Sequence, residues 1–306
     1  MSSYLKSICF GFAPALQKTT SFSSLKVGAV NRSLNSFTGI GGKGANTARM
    51  IGQLGGECLL VGFYGGKNGE RYLDLLSKES VENKHIHVSG ETRLCHTLLQ
   101  KDGQITELVE EMPLLKKSEV FLMEQEIEKL DLSGIVSICG KLPKGCPDDF
   151  YAKISLLVKQ QGGSAVIDTQ GDPLIKALKF NPFVKINKEE LFITTNKSDL
   201  FVAAEILLEE GANGLLVTDG KYPATLFLDG SIYMFHPPSI NIKNSIGSGD
   251  AVMAGMNFKL SRGCSVYDSV YFGIVCGVSN AMTSTCGNIN TEDIKNLIND
   301  IEVKRM

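Results

Sequence analysis

The sequence predicts an α/β fold: a doubly wound, mainly parallel β-sheet with helices on both faces and a small β-sheet that serves as a lid. Two features of the sequence predict the main sheet: short apolar runs and longer segments with helical periodicity. Short apolar runs bounded by glycine alternate along the 306 residues with longer segments that carry apolar residues at helical spacing. This alternation is typical of parallel strands covered on both faces. Two strand-rich segments without intervening helices are the third observation, and they predict the lid.

The predicted strands of the main sheet are short, apolar and rich in β-branched residues. They lie at residues 8–12, 59–63, 134–139, 165–168, 183–186 and 214–218. The predicted helices lie at residues 45–54, 69–77, 118–130, 148–161, 199–210 and 251–260. Apolar residues recur in these helices every three or four positions, so we expect each helix to pack one face on the sheet.

Two segments interrupt this alternation. Residues 19–36 are polar with scattered apolar positions, whereas residues 92–110 contain two short strands around the turn Lys101-Asp102-Gly103-Gln104, a pattern typical of a β-hairpin. Strands joined without a crossover helix do not readily enter a parallel sheet. We therefore expect one domain over residues 1–306, with a lid formed by insertions at residues 13–38 and 91–111.

Composition excludes several classes of partner. The 31 basic residues nearly balance the 33 acidic ones, so no global field favours nucleic acid. No apolar run is long enough to cross a bilayer, and the start, residues 1–6, lacks the pattern of a secretion signal. The eight cysteines include no CxxC pair and mostly lie in apolar stretches, which predicts buried reduced thiols. We expect a cytoplasmic protein.

The first glycine-rich loop runs from Gly39 to Asn46 and contains Gly41, Gly42 and Lys43. Because it opens a predicted helix, its backbone can approach a ligand closely and its free amides favour an anion. Lys43 adds a full positive charge. The spacing differs from a Walker P-loop, and no GxGxxG follows the first strand, which argues against a dinucleotide-dependent dehydrogenase.

The second glycine-rich loop runs directly into the helix predicted at residues 251–260. It contains Ser245, Gly247, Ser248, Gly249 and Asp250. Amides at a helix start can hold a transferring phosphoryl group, and a carboxylate beside them can accept the proton of an attacking hydroxyl. An isolated Gly-Asp pair would indicate only a helix cap. Together with the loop, Asp250 is the candidate catalytic base.

Residues 41–49 and 244–255 resemble the two signatures of the ribokinase-like carbohydrate kinases, in the phosphofructokinase B branch that includes 1-phosphofructokinase and tagatose-6-phosphate kinase. Residues 25–32, 141–145, 168–171 and 185–191 resemble further family motifs, so the similarity covers nearly the whole chain. It implies ATP as phosphoryl donor, with Asn187 and Glu190 organising Mg²⁺ through water. It also implies an anion hole at Gly247, Ser248 and Gly249. The further ATP-binding residues implied are Lys185, Asn187, Thr218, Gly220, Ser245, Gly277 and Asn280.

The acceptor end departs from the family pattern. Gln17 stands where relatives usually have an aspartate that binds sugar hydroxyls, and Lys141 replaces the usual serine of a turn. Gln17 retains hydrogen-bonding capacity but loses the charge-assisted strength of a carboxylate. Arg93 resembles the arginine with which this branch holds a substrate phosphate. With Lys43 and Lys141, it favours a phosphorylated sugar over a free one.

The leading hypothesis is therefore an enzyme that transfers the γ-phosphoryl group of ATP to a hydroxyl of a ketohexose phosphate, either fructose 1-phosphate or tagatose 6-phosphate. The substrate-binding candidates are Gln17, Gly41, Gly42, Lys43, Asn46, Arg93 and Lys141. The alternatives are a kinase of an unphosphorylated sugar or nucleoside, and a weakly catalytic sugar-phosphate sensor. Exposed strand edges in the lid predict a homodimer, because such edges tend to be paired.

Overall fold

The computed structural model describes residues 6–79 and 81–306. The expectation about a secretion signal concerns residues 1–6, of which residues 1–5 lie outside the described part. Within the described ranges, no helix combines the length and the apolar character needed to span a membrane.

The strands and helices follow one another in an α/β alternation that antiparallel pairs of consecutive strands and a C-terminal strand interrupt. In chain order the strands are β1 (Ser7–Gly11), β2 (Ala15–Phe22), β3 (Asn35–Gly41), β4 (Cys58–Tyr64), β5 (Glu82–His87), β6 (Arg93–Gln100), β7 (Ile105–Val109), β8 (Ile135–Cys139), β9 (Ser164–Asp168), β10 (Phe183–Asn187), β11 (Leu215–Asp219), β12 (Tyr222–Leu228), β13 (Ser231–His236) and β14 (Glu302–Arg305). The helices are α1 (Lys43–Gln53), α2 (Gly66–Leu76), α3 (Lys117–Glu128), α4 (Phe150–Gln160), α5 (Asp172–Leu178), α6 (Lys188–Thr195), α7 (Leu200–Glu209), α8 (Ser248–Leu260), α9 (Val266–Ala281) and α10 (Thr291–Leu297).

The main sheet has ten strands in the order β14-β13-β12-β11-β10-β9-β8-β1-β4-β5. Every pair from β11 across to β5 is parallel, which confirms the prediction of a mainly parallel sheet. Strands β12, β13 and β14 extend it in antiparallel fashion. The β12–β13 turn contains Asp229 and Gly230, both with positive φ, so a hairpin signal was present in the sequence but was not recognised.

The hydrophobic core lies in two layers, one on each face of the main sheet. Neighbouring residues of β1 show why: Cys9 belongs to one layer and Phe10 to the other, since successive side chains of a strand point to opposite faces. The first layer contains residues of α1, α8 and α9, and the second contains residues of α3, α4 and α7. Helices on both faces are what the predicted doubly wound fold requires.

A separate four-stranded sheet has the order β3-β2-β6-β7. The β6–β7 hairpin confirms the predicted one, with Leu99 opposite Ile105. The β2–β3 pair is also antiparallel, whereas β2 and β6 are parallel. The small sheet thus comes from both segments predicted to form the lid. The description of the chain as one domain with two insertions stays a prediction.

The topology brings several strand ends to one edge of the main sheet. The carboxyl ends of β1, β8, β9, β10 and β11 lie side by side there because these strands are parallel neighbours. Only Phe12, Ala13 and Pro14 separate β1 from β2, so the small sheet begins at this same edge. In open α/β sheets, ligands bind in the crevice outside the carboxyl ends of the strands.

Candidate active site

The first turn of α8 carries Asp250. Gly247 precedes the helix with φ of 85°, a left-handed conformation that glycine adopts without strain. The first amides of a helix have no intrahelical partners and attract anions. Asp250 is only 7% exposed, so a carboxylate lies almost buried beside backbone amides of a kind that can bind an anion.

The surroundings of Asp250 prepare it to accept a proton. Burial and the negative charge of Asp168 raise its pKa to about 6, and the nearby lysine charges and a hydrogen bond partly oppose this. Asn46 Nδ2 donates that hydrogen bond to Asp250 Oδ2 over 2.8 Å. Asp250 is consequently ionised at neutral pH and is more basic than an ordinary aspartate.

Asp168, at the carboxyl end of β9, is the centre of a buried charge network. Its Oδ1 accepts from Lys43 Nζ over 2.6 Å, and its Oδ2 accepts from Lys185 Nζ over 2.5 Å. Burial disfavours ionisation of Asp168, but the charges and hydrogen bonds of the two lysines lower its pKa to about 2. Each carboxylate oxygen therefore holds one ammonium group in place.

The structure changes the interpretation of Lys43. The sequence suggested a free cation available to a substrate phosphate, whereas Lys43 Nζ lies between Asp168 and Glu190, with Glu190 Oε1 at 2.9 Å. Although burial opposes its charged form, these carboxylates raise the pKa of Lys43. Its charge is thus matched within the protein, and its contact with substrate stays a prediction.

Asn187 and Glu190 form the N-terminal cap of α6. Asn187 Oδ1 accepts from the Glu190 amide over 2.8 Å, and Glu190 Oε2 accepts from the Asn187 amide over 3.2 Å. Glu190 is therefore not an ordinary solvated helix residue. Among the described residues, no group of three or more His, Cys, Asp or Glu side chains could hold a metal ion. The oxygen atoms present suit a water-mediated Mg²⁺ contact rather than a protein cage.

A pocket of about 160 Å³ brings together the three predicted phosphate-binding cations, Lys43, Arg93 and Lys141. Its other lining residues are Ala13, Gly140, Thr169, Gln170 and Glu190. The larger cavity, of about 470 Å³, lies between α7 and the β12–β13 hairpin and is lined by none of the predicted site residues. The chemistry of the smaller pocket, rather than its size, makes it the candidate acceptor pocket.

Arg93 is oriented by the backbone at the mouth of this pocket. Its guanidinium donates to the carbonyl of Ala13 over 3.2 Å and to that of Glu110 over 3.4 Å. Its Nε is buried and has no partner among the described residues. Lys141 is exposed and pairs with no described carboxylate. The side chains of Arg93 and Lys141 are therefore available to bind an anion.

The chain packs closely where Gln17 of β2 meets Gly41 and Gly42 at the end of β3. Gln17 is only 7% exposed and donates through Nε2 to Thr97 Oγ1 over 2.6 Å. Gly42 has φ of 102°, and a Cβ there would lie 2.8 Å from the Ala13 carbonyl oxygen. At Gly41, a Cβ would lie 3.0 Å from Gln17 Oε1. Glycine at position 42 is thus required by the backbone itself, whereas a side chain at position 41 would crowd the Gln17 side chain.

The predicted nucleotide-binding residues are found in two places. Thr218 and Gly220 lie at the end of β11, whereas Ser245 is exposed just before α8. Asn280 is fully buried in α9; its Nδ2 donates to the Ile246 carbonyl over 3.0 Å and to Ser248 Oγ over 3.1 Å.

Gly277 lies in the contact between α8 and α9, where a Cβ would be 2.7 Å from Val252 Cγ2. Asn280 and Gly277 therefore support the loop ahead of Asp250. Their contact with a nucleotide stays a prediction.

Sequence reasoning did not single out two important residues. Asp168 was noted only as part of a motif, although a carboxylate that ends a buried strand at the sheet's ligand-binding edge is a recognisable signal. Thr97 carried no local signal, because its partner Gln17 is 80 positions away.

Comparison with known proteins supports the class that the sequence motifs indicated, the carbohydrate kinases. Residues 21–293 match the family described as pfkB family carbohydrate kinase. The chain is 29% identical over 299 residues to 1-phosphofructokinase of Bacillus subtilis (strain 168), covering 96% of this chain and 97% of that one.

Solved structures share the fold. Phosphofructokinase-2 from Escherichia coli in complex with potassium superimposes with a TM-score of 0.87 at 24% identity, covering 97% of this chain and 98% of that one. A possible 1-phosphofructokinase from Thermotoga maritima gives a TM-score of 0.88 at 20% identity, covering 98% and 99%.

Fold and family together define the class: a sugar kinase, which transfers a phosphoryl group to an alcohol. Within that class, the chain belongs to the pfkB family of carbohydrate kinases.

Proposed function

We propose that the protein transfers the γ-phosphoryl group of ATP to a hydroxyl of a ketohexose phosphate, fructose 1-phosphate or tagatose 6-phosphate. The observation that carries the proposal is Asp250: a nearly buried carboxylate with a pKa of about 6 at the start of α8. The identity to a 1-phosphofructokinase favours fructose 1-phosphate. An Escherichia coli relative has been solved in complex with fructose-6-phosphate, which supports a phosphorylated acceptor in this fold.

Each part of the site has a role in this reaction. Asp250 takes the proton of the attacking hydroxyl, while the amides at the start of α8 stabilise charge on the phosphoryl group. Lys185 adds to that stabilisation, since a Cβ at Gly249 would lie 2.7 Å from Lys185 Nζ. Asp168 fixes this lysine. Asn46 holds one oxygen of Asp250 and leaves the other for the substrate.

The acceptor's existing phosphate is assigned to Arg93 and Lys141. Both line the pocket, and neither is ion-paired with a described carboxylate. Arginine binds phosphate in a bidentate manner, whereas lysine contributes a point charge. Gln17, Gly41 and Gly42 would then lie along the sugar.

For the donor, we assign the adenine side to Thr218, Gly220 and the helix that contains Gly277 and Asn280, and Ser245 is a further ATP-binding residue. Mg²⁺ would be organised through water by Asn187 and Glu190. When bound, it neutralises charge on the ATP phosphates. Residues Asn187 and Glu190 themselves serve to position α6, whose capped start lies beside the pocket through Glu190.

An ADP-release assay with ATP, Mg²⁺ and a panel of hexoses and hexose phosphates tests the proposal. We expect turnover of at least one ketohexose phosphate and little turnover of the corresponding free sugar. A preference for unphosphorylated sugars or nucleosides would overturn the acceptor assignment. Tight binding of a sugar phosphate without measurable turnover would instead indicate a sensor.

We also infer that the small sheet mediates a homodimer. Its edge strands are β3 and β7, and exposed apolar residues accumulate on and beside them: Val27, Val30, Leu34, Phe37, Leu108 and Val109. Apolar side chains next to open strand edges are typical of an interface. A relative from Escherichia coli has been solved in a tetrameric inhibited form.

A further inference from the structure

Three polar side chains form a chain across the small sheet. Gln17 on β2 donates through Nε2 to Thr97 Oγ1 on β6 over 2.6 Å. Thr97 Oγ1 in turn donates to Glu107 Oε1 on β7 over 3.5 Å. Thr97 pairs with both Thr19 and Glu107 in the strand register, and Gln17 lies two residues before Thr19. All three side chains consequently project from the same face of the small sheet.

The chemistry of the three groups determines the direction of these hydrogen bonds. An ionised carboxylate only accepts, and a hydroxyl has a single hydrogen to donate. The Thr97 hydrogen therefore goes to Glu107, which leaves Thr97 Oγ1 to accept from Gln17. A glutamine side chain presents an NH₂ group and a carbonyl oxygen of nearly the same shape. Glu107 thus determines, through Thr97, that the nitrogen of Gln17 faces Thr97.

Burial stabilises this orientation of the Gln17 side-chain amide. Thr97 is fully buried and Gln17 is 7% exposed, so water competes little for their hydrogen bond. Burial raises the pKa of the Glu107 carboxyl, but the Thr97 hydrogen bond and the charge of Arg93 favour its ionised form. Flipping the Gln17 amide, with the Thr97 hydrogen still donated to Glu107, would place two acceptor oxygens against each other.

The other end of the Gln17 amide has no partner within the described chain. Gln17 Oε1 lies 3.0 Å from the point where a side chain at Gly41 would begin. Because residue 41 is glycine, nothing covers this oxygen from that side. Gly41 is the last residue of β3, two positions before Lys43, which lines the acceptor pocket.

We propose that Thr97 and Glu107 are positioning residues that hold the Gln17 carbonyl oxygen toward the acceptor pocket, where it accepts a hydrogen bond from one hydroxyl of the sugar. This proposal rests on the proposed function. The site selects an acceptor that carries a hydroxyl at that point, because a substrate without it leaves the Gln17 carbonyl oxygen without a hydrogen-bond partner once the substrate covers it. Gln17 in this fixed orientation offers an acceptor where the family pattern has a carboxylate.

Steady-state kinetics of Thr97→Val and Thr97→Ser test the proposal. Valine keeps the volume and removes the hydroxyl, whereas serine keeps the hydroxyl. We expect Thr97→Val to raise the KM for the sugar acceptor about five- to tenfold, the effect of one hydrogen bond. Its KM for ATP and its kcat should stay within about twofold of wild type. Thr97→Ser should restore the KM for the acceptor.

Deoxy analogues of the accepted sugar identify the hydroxyl. One analogue should lose affinity for wild type but bind Gln17→Met as well as the parent sugar does. A second readout needs no substrate: the side-chain amide protons of Gln17 should exchange slowly with solvent in wild type and rapidly in Thr97→Val.

The outcomes separate this inference from the proposed function. If wild type prefers a free sugar, the phosphate assignment fails, and the contrast between the two Thr97 variants on that sugar still tests the amide orientation. Equal acceptor KM values for valine and serine variants, or unchanged amide exchange in Thr97→Val, would show that the orientation of Gln17 does not depend on Thr97. If Thr97→Val raises both KM values and lowers thermal stability, the residue only supports the small sheet.

Discussion

Asp250 combines two features at the level of a single residue, a buried position and a place at a helix start. We predict that Asp250→Asn keeps the fold and ATP binding but lowers kcat by about two to four orders of magnitude, the usual contribution of a positioned base. Asp268→Asn, which changes an exposed carboxylate in the first turn of α9, is the matched control and should leave kcat unchanged. Turnover of Asp250→Asn within about threefold of wild type would mean that another group accepts the proton.

The pH dependence follows from the same residue. The base acts only when ionised, and burial with the Asp168 charge raises the pKa of Asp250 to about 6. Activity should therefore fall tenfold per pH unit as the pH drops below about 6, and stay level above it. The residual activity of Asp250→Asn should lack this dependence. A wild-type profile that is flat down to pH 4.5 would contradict the assignment.

Arg93 is predicted to act on the acceptor alone. Arg93→Ala should raise the KM for the sugar phosphate by about tenfold or more and leave the KM for ATP nearly unchanged, because one charge-assisted contact contributes about 1.5 to 3 kcal/mol. Arg71→Ala, which removes an exposed arginine of α2, serves as the control. Equal weakening of both substrates would assign Arg93 to the stability of the small sheet instead.

At the level of secondary-structure elements, the start of α8 is a closely packed part of the candidate site, because Gly249 lies directly against Lys185. A Cβ at Gly249 would lie 2.7 Å from Lys185 Nζ, which is held by Asp168. Gly249→Ala should therefore displace this ammonium and lower kcat, and Gly249→Val should lower it further by blocking the approach of the phosphoryl group. Kinetic assays of both variants, with thermal melting to verify folding, make the comparison. Wild-type kcat in both would show that this backbone does not face the phosphoryl group.

How well each element could be predicted depended on how local its signal is. The strands β1, β4, β8, β9, β10 and β11 are buried on both faces, so each appears in the sequence as an apolar run. Strands β5 and β14 lie at the edges of the main sheet and carry mixed residues. Their pairing comes from neighbours distant in sequence, and propensity alone does not reveal it.

At the scale of the whole molecule, we predict that two copies of the chain associate through the small sheet. Light scattering at micromolar concentration should give a homodimer, and Phe37→Asp on edge strand β3 should shift it toward monomer by placing a charge in the interface. Ile193→Asp is the control, since Ile193 of α6 is similarly exposed but lies away from the small sheet. A wild-type monomer, or equal effects of both variants, would contradict an interface at the small sheet.

The sequence by itself determined the alternation of strands and helices, the two glycine-rich loops and the role expected of Asp250. These features are local, because a helix start, its free amides and the adjacent carboxylate lie within a few residues of one another. Only the tertiary structure placed Asp168 between Lys43 and Lys185, and Gln17 against Thr97. Charge compensation and hydrogen-bond direction depend on distances between residues far apart in the chain. For this reason Lys43 appeared in the sequence as a free cation, and only the folded chain shows its charge matched by two carboxylates.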